Sequence, residues 1–306
     1  MKKSRLLLQT ALVFGLSACA SSSSHWQSPL YADHPLVGRI WSTSTAQFIS
    51  SERLITELSS SSIVLLGEKH DNADHHRLQR EVLSQLHKET GLSVVSFEMM
   101  DRSQSELLLD GENLSQLNSD QLLEYLQWDV KGWNWSFYGP LILDVLAMGA
   151  ELRAANIDSA TLGEVYAGGG PAGLENYLGS KQMEQLKAEV DQSHCSLLPA
   201  SQVPAMARVQ QSRDLSMAQS LEGEEAGLKV LVAGNFHVRK DLGVPRYLVH
   251  SSERVTSLAF IEVLPPASFT DSSAYLAQYE DGLPYDYVWF TPAQTSEDYC
   301  DSLRLR

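Results

Sequence analysis

Ile63-Val64-Leu65-Leu66-Gly67-Glu68-Lys69-His70 is the stretch on which the fold turns. Four consecutive apolar residues ask for burial on both sides, as in a strand inside a parallel sheet. The run then breaks into Gly, Glu, Lys and His. Asp71 or Asn72 offers a helix cap, and Leu78, Val82, Leu83 and Leu86 recur on one helical face across 73–88, with Gly91 as a stop. Val94-Val95-Ser96-Phe97-Glu98 reads as a second buried strand. Strand, helix and strand in this order predict a βαβ unit and a parallel sheet.

Outward from this unit, residues 103–127 read as helical. Trp128 to Gly139 reads as an aromatic loop carrying Trp128, Trp133, Trp135, Phe137 and Tyr138. A helix from Leu141 to about Gly149 and a third strand, Glu151 to Asn156, follow. Gly168-Gly169-Gly170 separates them from two helical stretches over 173–191 and 203–222. Lys229 to Gly234 is the clearest late strand, Val255 to Leu264 gives another, and Tyr287 to Phe290 reads as a last strand at the sheet edge. The expected fold class is α/β, a mostly parallel central sheet flanked by helices. An added helical cap would be built from insertions at about 103–135 and 170–225.

The N-terminus carries a different signal. Met1-Lys2-Lys3-Ser4-Arg5 is basic, Leu6 to Leu16 is apolar, and Leu16-Ser17-Ala18-Cys19 ends the run with small residues and a cysteine. This is the layout of a lipoprotein signal peptide over 1–18, with Cys19 as the lipidation site. Residue 20 is Ala rather than Asp, which favours the outer membrane of a bacterial envelope over the inner one. Ser21 to Ser24 open a flexible tether, read as 19–35, and a single domain is expected over 36–306. The formal charge is −15, and loss of Lys2, Lys3 and Arg5 makes it three units more negative. Such a chain is a poor nucleic-acid binder, and any anion site must be made locally. Cys195 and Cys300 remain as a candidate disulfide in an oxidising compartment.

In open parallel sheets, ligands bind beyond the carboxyl ends of the strands. Four strand ends here carry polar groups: Glu68 with His70, Glu98, Asn156, and His237 after Gly234. Two of them share the pattern Gly-x-x-His, where glycine would let the chain turn off the strand and fold the histidine back. His75 and Gln79 share a helix face and could point at the same crevice. Such a cluster can hold a metal, polarise a water or position a polar ligand.

Several of these segments resemble one family. Gly67-Glu68-Lys69-His70-Asp71-Asn72 with His75-His76 and Gln79, then Phe97-Glu98-Met99, Trp135 with Tyr138-Gly139-Pro140, and Ala154-Ala155-Asn156 look like motifs of the ChaN family of haem-binding lipoproteins. So do His194-Cys195, Leu198-Pro199, Arg213-Asp214, Met217-Ala218, and Ala233-Gly234-Asn235-Phe236-His237-Val238-Arg239 with Gly243-Val244-Pro245. The resemblance runs from about 36 to 265 and implies haem as ligand in iron acquisition. An outer-membrane haem receptor as partner and a homodimer are further possibilities. The wider superfamily includes proteases of the TIKI and TraB type and erythromycin esterases. The alternative is therefore a metal-dependent hydrolase using Glu68, His70, Glu98 and His237, with Glu68 or Glu98 as general base.

For haem, the axial candidates are Tyr138, inside a family-like motif, and Tyr166, just before the three glycines, with His70 and His237 competing. His75 and Asn156 would complete the pocket. Arg239, with Lys240 and Arg246, is a candidate partner of the propionates. The aromatic segment would form one wall, and Met206 and Met217 could flank the ligand.

Overall fold

Every residue of β3 (Ile63–Glu68) is buried, and its side chains alternate between two hydrophobic clusters. Val64 and Leu66 enter one cluster, while Ile63 and Leu65 enter the other. This two-sided burial is why the run carries no polar alternation. The computed structural model describes residues 26–109, 111–223, 226–248, 254–264, 272–277 and 282–304. The leader over 1–18, Cys19, His25 and His250 lie outside the described residues.

In chain order the elements are β1 (Ile40–Ser42), β2 (Gln47–Ile49), α1 (Ser51–Ser59), β3, α2 (Ala73–Thr90), β4 (Leu92–Asp101), α3 (Gly111–Leu114) and α4 (Ser119–Tyr125). They continue with α5 (Trp135–Ala147), β5 (Glu151–Asn156), α6 (Ser159–Tyr166), α7 (Ser180–Ser193), α8 (Val203–Ser220), β6 (Leu228–Gly234), β7 (Val255–Glu262), α9 (Ser272–Ala277), β8 (Tyr287–Thr291) and α10 (Tyr299–Arg304). The strands form one sheet in the order β2-β1-β8-β7-β3-β6-β4-β5. β3 to β8 are parallel wherever they pair with one another, and β1 runs antiparallel to β8 and β2. Helices α1, α2 and α5 pack on one face, and α8 packs on the other.

The sheet is the mostly parallel one expected, and several details differ. β8 is not an edge strand, because the short hairpin β1–β2 pairs beyond it. The 103–127 stretch is not one helix. Asp101 and Asn118 each form a capping box, with Gln104 and Gln121, so the segment restarts as a 3-10 turn over Arg102–Leu108 and again as α4. The expected aromatic loop is helical from Trp135 onward, because the Asn134 side chain caps the Ser136 N–H and begins α5 two turns early. Helix α6 follows Asn156, capped by Asp158 on Thr161.

The flexible tether expected through residue 35 is packed from Trp26 onward. The Gln27 and Ser28 N–H groups donate to buried Asp74 at 3.0 and 2.8 Å, and Ser28 Oγ donates to Asn72. Leu30 bridges to Ala293 beyond β8. Buried hydrogen bonds hold this strap in place, which the serine-rich composition upstream did not suggest. Cys195 and Cys300 are joined by a disulfide that ties α10 to the end of α7. Among the described residues, no helix is long and apolar enough to cross a membrane.

Candidate functional site

The carboxyl ends of β3, β6 and β7 border a cleft of about 660 Å³. This lies within the ~300–1,000 Å³ usual for small-molecule sites. Its floor carries Glu68, His70 and His237. Phe236, Ile261, Leu264 and Tyr275 give it an apolar wall, and Lys69 and Glu262 pair at 3.0 Å on its rim.

Glu68 is the hub. Tyr138 donates its hydroxyl to Glu68 Oε1 at 2.5 Å, and His70 Nδ1 lies 2.9 Å from the same oxygen. His76 Nδ1 lies 3.1 Å from Oε2, while its Nε2 reaches the His70 carbonyl at 3.0 Å. Burial alone would raise the Glu68 carboxyl, but the His76 charge and hydrogen bonds from His70 and His76 hold it far below the usual carboxylate range. Burial opposes protonation of His70 and His76, yet Glu68 raises both. Tyr138 is pushed well above the ordinary phenol range, by burial first and then by the Glu68 charge.

A second line of groups runs across the neighbouring strands. His237 sits between two carboxylates, with Nδ1 2.6 Å from Asp214 and Nε2 3.2 Å from Glu98. Burial would lower His237, but Glu98 and Asp214 raise it to about 10. Burial would raise Glu98, but His237 brings it down to about 2, and its Oε2 also accepts the Gly234 N–H at 2.7 Å. Burial lifts Asp214 to about 6 even beside His237. One buried cation thus serves two carboxylates, and Asp214 is the harder of the two to ionise. His70 Nε2 stands 4.0 Å from Glu98 Oε2 and links the two lines.

The two Gly-x-x-His motifs owe their glycines to space, not to the turn expected from sequence. Neither glycine has a left-handed backbone. A Cβ on Gly67 would stand 2.4 Å from Val238 Cγ2 and 2.6 Å from Asn235 Oδ1, and one on Gly234 would stand 3.0 Å from His70 Nε2. Each motif's glycine makes room for residues of the other.

The structure brings His70, Glu98, Asn156 and His237 to one rim, though not as equals. Asn156 donates to the Glu98 carbonyl and accepts from the Ile157 N–H, so it braces β4 against β5. His75 and Gln79 are fully buried and do not face the cleft. His75 Nδ1 accepts the Lys69 N–H at 2.8 Å and its Nε2 meets Thr291 Oγ1 at 2.8 Å, so it fixes the backbone beside His70.

Tyr138 is 1% exposed and committed to Glu68, which differs from the axial role expected of it. Tyr166 packs in a small cluster with Ile157, Val165 and Val209, apart from the cleft residues. Arg239 is bonded to both Glu189 and Asp241, which satisfies its guanidinium away from any ligand carboxylate. Lys240 pairs with Asp286 in the same way. Met217 is fully buried core, and Met206 packs against the cluster of Leu186 and Ala207.

Three participants, His76, Asp214 and Lys69, lie within the family-like motifs, and the sequence alone assigns them no part in the site. The signal for Asp214 was an acid within a run of core-facing α8 residues, flanked by Gln211, Ser212 and Ser216, all buried. Among the described residues, no group of three or more His, Cys, Asp or Glu side chains is arranged to hold a metal ion.

Comparison with known proteins gives a consistent picture. A family model described as haem-binding uptake, Tiki superfamily, ChaN matches residues 54–248, more than half of the chain. Among solved structures, the chain is similar to ChaN of Campylobacter jejuni, described with cofacial haem binding, at TM-score 0.68 and 24% identity. That match covers 82% of this chain and 95% of the other. At this identity the likeness concerns the fold. An erythromycin esterase mutant in its open conformation matches at TM-score 0.48 and 11% identity, over 86% of this chain and 99% of the other. No curated protein sequence matches the chain.

Proposed function

Because the chain belongs to the ChaN family of haem-binding uptake proteins, we propose that it binds haem in the cleft beside His70, for iron acquisition at a bacterial envelope. The observation that carries this reading is the state of His70. Its side chain is 40% exposed, its Nδ1 is tied to buried Glu68, and its ring meets Trp133 edge-on at 4.9 Å between centroids. A carboxylate behind one ring nitrogen fixes the tautomer and makes the other nitrogen a better metal ligand. The apolar wall of Phe236, Ile261 and Leu264 suits a flat macrocycle. The cleft residues therefore fit haem, which here is cargo.

His70 is the proposed axial ligand, in place of the Tyr138 and Tyr166 expected from sequence. Apo-protein titrated with ferric haem should develop a saturable Soret band. His70→Ala should change its position or abolish it, and Tyr138→Phe should leave the ligand field unchanged. A spectrum indifferent to His70 would remove it as ligand, and absence of saturable binding would overturn the function.

The anchoring reading also stands as a proposal. Cys19 carries lipid, the protein sits at the outer membrane, and an outer-membrane haem receptor is its partner. The cofacial haem described for the Campylobacter protein supports a homodimer here, since a shallow cleft covers one face of the macrocycle. Light scattering with and without haem tests that point.

A further inference from the structure

The strap that begins at Trp26 decides which end of the molecule faces its membrane. Ser28 Oγ bonds Asn72, only two residues from His70, and the Gln27 and Ser28 N–H groups bond Asp74 in the first turn of α2. Arg77 stacks over the Trp26 ring at 5.1 Å. Residue 26 is therefore fixed at the carboxyl end of the sheet, beside the cleft. Six residues separate it from Cys19, seven steps with a contour of at most ~25 Å. A domain of this length is on the order of 45–50 Å across. A lipid on Cys19 thus reaches the bilayer from the cleft end and falls short of the opposite end.

The surface at that end carries exposed apolar side chains. Of the six large apolar side chains that are exposed among the described residues, three stand there, on three separate loops. Leu264, 48% exposed, is on the cleft wall. Val130, 61% exposed, lies three residues from Trp133, whose ring abuts His70. Tyr31, 41% exposed, follows Leu30, which bridges to Ala293 just beyond β8. Of the other three, Leu109 lies beside Gly149 to Leu152 at the start of β5, and Leu197 and Tyr299 flank the disulfide. Apolar side chains on loops next to a lipid-bearing terminus are suited to the interfacial zone of a bilayer.

We propose that the mouth of the cleft, with Tyr31, Val130 and Leu264, lies on the phospholipid surface, so that an amphipathic macrocycle passes between bilayer and cleft without crossing bulk water. The proposal rests on the lipid-anchor reading of Cys19.

The test uses full-length lipidated protein in zwitterionic phospholipid vesicles, with an environment-sensitive fluorophore on single cysteines. Val130→Cys and Tyr31→Cys report the mouth. Glu89→Cys reports the far end of α2, an 18-residue helix about 27 Å long. Vesicle flotation with wild-type Cys19 and with Cys19→Ala first establishes anchoring. If both fail to float, the anchor reading fails and the orientation falls with it. If wild-type floats, the labels at 130 and 31 should brighten severalfold and be quenched by brominated lipid, while the label at 89 should not. Floating protein with equal responses at all three positions, or a stronger one at 89, would overturn the orientation while leaving the anchor intact.

Discussion

Glu68→Gln is the substitution from which the strength of the buried network can be read. The side chain is fully excluded from water and is shared by Tyr138, His70 and His76. Glutamine keeps the shape and one carbonyl oxygen. It removes the charge on which two imidazoles lean, and its amide N–H groups face groups that also donate. Breaking a buried ion pair by removing one partner costs about 3–5 kcal/mol, and one hydrogen bond to a charged group is worth about 1.5–3 kcal/mol. The expected loss is therefore about 3–5 kcal/mol, or roughly 10 °C in Tm for a domain of this size. Tyr138→Phe removes one of the three contacts and should cost about 1.5–3 kcal/mol. Urea unfolding of both single variants and the double variant at neutral pH gives the cycle. The double variant should fall short of the sum by at least ~1 kcal/mol, because the tyrosine bond needs the carboxylate. Strict additivity, or a Glu68→Gln loss below ~1 kcal/mol, would refute the hub.

Other outcomes are open to direct measurement. Burial lowers His75 to about 3, below its value of ~6.5 in an unfolded chain. The unfolded state alone takes up that proton as pH falls from 6.5 toward 3, so wild-type stability should drop through this window by up to ~1.4 kcal/mol per pH unit. His75→Asn should show a shallower slope between pH 6.5 and 4, and equal slopes would refute the neutral assignment. Gly234→Ala places a Cβ 3.0 Å from His70 Nε2. It should weaken haem binding roughly tenfold while costing only about 1 kcal/mol of stability, read by Soret titration beside urea unfolding. Cys195 and Cys300 lie 105 residues apart, and a closed loop of about that length is worth up to ~4.7 kcal/mol. Reductant should destabilise wild-type by several kcal/mol and leave Cys300→Ser unchanged in denaturant titrations.

The parallel sheet was legible because its strands are apolar on both faces, as Ile63 to Leu66 and Val230 to Val232 show. The hairpin β1–β2 was not, since three-residue strands leave no periodic trace. Helix breaks at Asp101 and Asn118 are written in the sequence as capping boxes, which override the average helical tendency of the segment. For the site, the sequence carried which residues stand at strand ends, but not how hydrogen-bonding capacity is divided among them. Tyr138 and His75 are the right types near the right place, and each is consumed by a bond to a buried partner. Arg239 illustrates the same limit, because its two acids come from Asp241 next to it and from Glu189 on α7. Asp214 stands in a family-like segment, but its pairing with His237 arises only where the fold lays α8 across the end of β6.

The reciprocal packing of Gly67 against Asn235 and Val238, and of Gly234 against His70, has a consequence for how this protein can change. The two loops are not interchangeable parts. A graft of either one from a distant relative would bring side-chain volume into a gap shaped by its counterpart, so successful exchanges must move both together. Drift at one motif is therefore constrained by the other, although more than 160 residues of chain lie between them.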